Sequence, residues 1–91
     1  MTAVQREVRI ANQRGLHARA SAKFVSMASQ LPATIEVEKD GHRVCGTSIM
    51  GLMMLSAAPG TTITVSATGA QAEAAVAALA ELVGNKFNEE E

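Results

Sequence analysis

The chain has 91 residues, a formal net charge of −1, two histidines, one cysteine, two phenylalanines and no tryptophan or tyrosine. That length fits one small domain over residues 1–91, burying a little over roughly 60% of its unfolded surface. The lone Cys45 excludes an internal disulfide, no apolar run approaches a membrane span, and no signal-peptide pattern opens the sequence, so a cytoplasmic protein with no direct membrane insertion is expected.

Charge is unevenly placed. Through residue 30 the basic residues Arg6, Arg9, Arg14, Arg19 and Lys23 face Glu7 alone, while the chain closes on an acidic tail at about 88–91. Nucleic acid is not an expected partner, because the whole is not basic and neither Phe24 nor Phe87 falls in a strand that could stack bases.

The first predicted element is a strand from Val4 to Ala11, with Val4, Val8 and Ile10 alternating against Gln5, Glu7 and Arg9, and Arg6 as the exception. Gly15 then breaks the chain, and from Ala18 the residues read as helix, so His17 falls at a helix N-terminus. Free backbone N–H groups and the positive dipole end make that position an anion site, and Arg19 adds a guanidinium suited to phosphate oxygens. A nucleophilic imidazole beside a phosphate cradle suggests phosphoryl transfer through His17. Ala20, Phe24, Met27, Ala28 and Leu31 form the apolar stripe of this helix, which Pro32 should end.

Ile35 and Val37 alternate with Thr34, Glu36 and Glu38, and Asp40-Gly41 predicts a two-residue type I′ hairpin turn that sets Lys39 opposite His42, Glu38 opposite Arg43 and Val37 opposite Val44. His42 and Cys45 alone fall short of a zinc site, so no metal is assigned. Ser48 is a good N-cap for a short helix whose stripe is Ile49, Leu52 and Met53, with Met53 expected in the core. Met50 and Met54 lie on an adjoining face that could serve as an adaptable docking surface.

After Pro59-Gly60, Ile63, Val65 and Ala67 alternating with Thr62, Thr64 and Ser66 give the last strand. Thr68 and Gln71 have the spacing of a capping box before a closing helix that buries Ala72, Ala75, Val76, Leu79 and Val83 and stops at Gly84-Asn85. The order is βαββαβα. Four half-buried strands predict an α+β fold, an antiparallel sheet with its helices on one side. Pattern alone leaves open a ferredoxin-like domain that binds a small molecule, or a regulatory protein-binding module controlled by Ser48 phosphorylation.

The chain resembles the histidine-containing phosphocarrier protein (HPr) family of the bacterial phosphotransferase system. G-L-H-A-R at Gly15 to Arg19 is similar to the family's active-site signature, and S-I-M-G-L-M at Ser48 to Met53 to its regulatory signature. The resemblance implies an open-faced sandwich, four antiparallel strands covered by three helices. It implies that His17 is phosphorylated on Nδ1 with Arg19 assisting, that Ser48 is a regulatory phosphorylation site, and that no cofactor is needed. Implied partners are enzyme I, enzyme IIA domains and, where the lineage has one, HPr kinase/phosphorylase. Ala18, Ala20, Ile49, Met50, Met53 and Met54 are then the expected partner-binding residues of a monomer. One departure stands out: Ala20 occupies the position where the family usually has proline.

Overall fold

The computed structural model describes residues 3–88. Its elements are β1 (Val4–Arg9), α1 (Ala18–Ser29), β2 (Thr34–Lys39), β3 (His42–Cys45), α2 (Ile49–Met54), β4 (Thr62–Thr68) and α3 (Ala72–Gly84), followed by a 3-10 turn at Lys86–Asn88. The four strands form one antiparallel sheet in the order β1-β4-β2-β3. Register decides what each face carries. Val8 pairs with Ile63, Ile35 with Ala67 and Val37 with both Val65 and Val44, so one face is apolar. Phe24 of α1, Leu52 of α2, and Val76, Leu79 and Val83 of α3 join those residues in a single core. The opposite face is polar and uncovered, with Glu7, Thr64, Glu38 and Arg43 side by side across all four strands.

The hairpin register is the one the two-residue turn dictates, with Asp40 and Gly41 both at positive φ (53° and 81°) as a type I′ turn requires. Arg43 bonds Glu38 at 3.1 Å and Glu36 at 3.3 Å, and those carboxylates, the Glu38 hydrogen bond foremost, raise the guanidinium pKa further. Arg6, the break in the first strand's alternation, faces Val65 on the helix side but stays exposed because β1 is an edge strand.

Four expectations are corrected. β1 ends at Arg9; Ile10 and Ala11 leave the ladder, although Ile10 still bonds the 60–61 turn, donating to Thr61 O at 2.8 Å and accepting from Gly60 N at 2.7 Å. α1 ends at Ser29, before Pro32, because Gln30 and Leu31 already bond three residues back, at 3.1 and 3.2 Å; a residue preceding proline avoids the α region. The Thr68–Gln71 capping box does not form: pairing of Thr68 with Thr34 holds it in β4, and Gln71 is itself the N-cap, at φ 56° with no side-chain bond. Met53 is 41% exposed, since a six-residue helix turns only Leu52 fully inward. Of the acidic tail, Glu89 to Glu91 lie outside the described residues.

Phe87 is fully buried at the end of the chain, and the Lys23 ammonium donates to its carbonyl at 2.8 Å. This tie fastens the C-terminal turn to α1.

Candidate functional site

The site is built from the loop between β1 and α1 and from the segment that leaves α2. Asn12, fully buried, donates from Nδ2 to Gly15 O at 2.8 Å, and Gly15 N returns a bond to Asn12 O at 3.4 Å. The loop is then clamped from the other side, where Leu16 N donates to Ala57 O at 3.0 Å. Gly15 sits at φ +63°, and a Cβ there would overlap Ala57 O, so both the backbone angle and the close approach require glycine. The buried Ser21 hydroxyl also donates to Leu16 O at 3.3 Å, tying the first turn of α1 back to the loop.

This scaffold places His17 at the N-cap of α1, in extended conformation (φ −75°, ψ −180°), its carbonyl accepting from Ser21 N at 2.9 Å. The half-buried imidazole accepts through Nδ1 from Arg19 N at 3.2 Å. An Nδ1 that accepts carries no proton, so the neutral ring keeps its proton on Nε2. Nδ1 therefore carries the in-plane lone pair, and it faces the N–H groups of the helix's first turn. Arg19 is exposed, and among the described residues no ion pair or hydrogen bond engages its guanidinium. Ala18 is exposed too. Ala20, expected on the docking surface, is fully buried in the core instead, because the first turn of α1 points it at the sheet.

Beside His17 lies an open depression of about 230 Å³, walled by Arg14, Leu16 and the chain from Ser56 to Pro59. That chain follows α2 directly. The four large apolar side chains exposed among the described residues, Ile49 (42%), Met50 (71%), Met53 (41%) and Met54 (76%), all belong to α2. The exposed apolar surface of the described residues is thus concentrated on one short helix. The geometry brings His17, Arg19 and the segment leaving α2 to one side of the molecule. Ser48 caps α2, its Oγ accepting from Gly51 N at 2.9 Å.

Other chemistry is sparse. Cys45 is exposed on β3, and the Thr47 hydroxyl 3.0 Å from its sulfur, with the Thr47 backbone, draws the thiol below its usual pKa. Among the described residues no group of three or more His, Cys, Asp or Glu is placed to hold a metal ion, and no helix is long and apolar enough to cross a membrane. Sequence reasoning missed Asn12 and Phe87. For Asn12 the signal was there, an asparagine three residues before a glycine, the chemistry of a side-chain-closed turn.

Comparison with known families matches residues 4–85 to the model of the PTS HPr component phosphorylation site. A phosphocarrier protein HPr of Neisseria meningitidis is 47% identical over 88 residues, covering 97% of this chain and 99% of the relative. A phosphocarrier protein NPr of Shewanella violacea is 40% identical over 89 residues, 98% of each chain. The crystal structure of HPr-C-His from Thermoanaerobacter tengcongensis superposes with a TM-score of 0.88 at 43% identity and full coverage of both chains. A match of this extent, on a sheet and helices arranged as in those structures, means that the chain belongs to the HPr family of phosphotransferase-system phosphocarriers.

Proposed function

We propose that the protein accepts a phosphoryl group from enzyme I on Nδ1 of His17 and passes it to an enzyme IIA acceptor. The observation that carries this reading is the hydrogen bond from Arg19 N to Nδ1, which aims the unprotonated nitrogen at the N-terminus of a twelve-residue helix. As the group arrives, the Nδ1 lone pair forms the new N–P bond. The bond from phosphorus to the donor breaks, and its electron pair stays with the donor. The Arg19 N–H, released by Nδ1, turns to a phosphoryl oxygen, and the Arg19 guanidinium meets the remaining charge. A half-buried ring with amide and guanidinium donors stabilises the adduct moderately, which suits cargo that must be handed on. The exposed face of α2 supplies one docking surface for donor and acceptor in turn. Partners of this kind place the work in the cytoplasm.

The test is incubation with phosphoenolpyruvate and enzyme I, read by intact mass. The wild-type chain should gain one phosphoryl group and His17→Ala none, with the variant still folded and its melting lowered only by the lost cap bond. Normal charging of the alanine variant would show that another residue accepts.

Ser48 has a second role in this reading, as the substrate of a kinase. Its half-buried hydroxyl caps α2 immediately before Ile49 and Met50, so a phosphate there places charge at the edge of the docking face.

A further inference from the structure

We propose that Arg14 is a second guanidinium contact for the phosphoryl group on His17, meeting it from the loop side while Arg19 meets it from the helix side. The inference rests on the reading of His17 as the phosphoryl acceptor. Arg14 and His17 line the same depression, whose volume of about 230 Å³ leaves room for a phosphoryl group. Arg14 is exposed, and among the described residues no hydrogen bond or ion pair holds its guanidinium. Its backbone is nonetheless fixed, because Gly15 beside it is closed against Asn12 and Leu16 is clamped to Ala57. The side chain is thus a free donor on a rigid base.

Charge supplies the second argument. No aspartate or glutamate occurs between Val8 and Ile35, or between Gly41 and Ala72, and these two stretches build both walls of the depression. Arg14 and Arg19 therefore flank one imidazole with no carboxylate from either wall to compensate them. Two arginines on either side of one imidazole, with no carboxylate in either wall, favour an anion at that position. A phosphoryl group brings that charge and three acceptor oxygens, which can take donors from the loop side as well as from Arg19 and the helix N–H groups.

The experiment starts from phosphorylated enzyme I freed of phosphoenolpyruvate, mixed at high salt with wild type, Arg14→Leu or Arg14→Lys. The readout is the ratio of phosphorylated to free carrier at equilibrium. Leucine keeps an apolar stem at an exposed position, and thermal melting checks that the fold is unchanged. Loss of one charged hydrogen-bonding contact should lower the ratio for Arg14→Leu by about tenfold, with Arg14→Lys recovering part of the loss. An equal ratio for Arg14→Leu and wild type overturns the inference while leaving the carrier reading intact. So does a slower rate seen only at low salt with the equilibrium unmoved, which would make Arg14 a steering charge for an acidic partner surface. A wild-type chain that takes up no phosphate at all overturns the carrier reading, and this inference with it.

Discussion

At the scale of single residues the site depends on two positions for different reasons. Arg19 makes no described side-chain bond in the resting protein, so its guanidinium is free to act in transfer. Arg19→Ala should leave the melting temperature near wild type and slow phosphoryl transfer from enzyme I by at least about tenfold, roughly 1.4 kcal/mol in the barrier. Stopped-flow or quench measurement of the transfer rate checks this, and an unchanged rate removes Arg19 from the mechanism. Gly15 acts through the backbone. Gly15→Ala sets a Cβ against Ala57 O at a positive φ, so a strain cost on the order of 1–3 kcal/mol is expected in denaturant unfolding. Transfer should slow with it, since the loop that presents His17 must shift. A variant as stable and as fast as wild type would mean that the loop relaxes freely.

At the scale of elements, Ser48 and α2 form the unit to test. Ser48→Ala removes the bond to Gly51 N and should cost about 1 kcal/mol of stability. Ser48→Asp keeps a cap, so it should melt near wild type, yet it sets a carboxylate beside Ile49 and Met50 and should weaken binding to enzyme I and slow His17 charging. Titration calorimetry with enzyme I measures the first effect; equal affinity for Ser48→Asp, and then for protein enzymatically phosphorylated on Ser48, would leave Ser48 as a cap only. The elements also show what local sequence can and cannot specify. The β2–β3 hairpin was legible to the residue because Asp40-Gly41 permits one tight turn and so one register. The Thr68–Gln71 signal misled because capping spacing is local, whereas the ladder bond pairing Thr68 with Thr34 comes from elsewhere in the chain. His17 was legible for the opposite reason: its cap geometry depends on near neighbours, Gly15 and Arg19. The depression beside it was not, since Ser56 to Pro59 reach it only through tertiary packing.

At the scale of the whole molecule, Phe87 plugs the core from the C-terminal turn, held at its carbonyl by Lys23. Phe87→Ala should destabilise the protein by about 3–5 kcal/mol in chemical unfolding, a large share of what a domain this small has to lose. A loss below 1 kcal/mol would mean that α1 and α3 close over the gap. Sheet order carries a further consequence, for the time at which the protein becomes competent. β1, the first strand made, has β4 as its only neighbour among the described residues, and the turn after it bonds Gly60 and Thr61. The Leu16 amide likewise waits for Ala57. During synthesis the histidine emerges early with its local cap bonds, but the loop that carries it is fixed from the far side only once Ala57, Gly60 and Thr61 and then β4 have left the ribosome and paired. A nascent or truncated chain therefore carries the histidine without the clamp on its loop and without the wall from Ser56 to Pro59 that stands beside it in the folded protein.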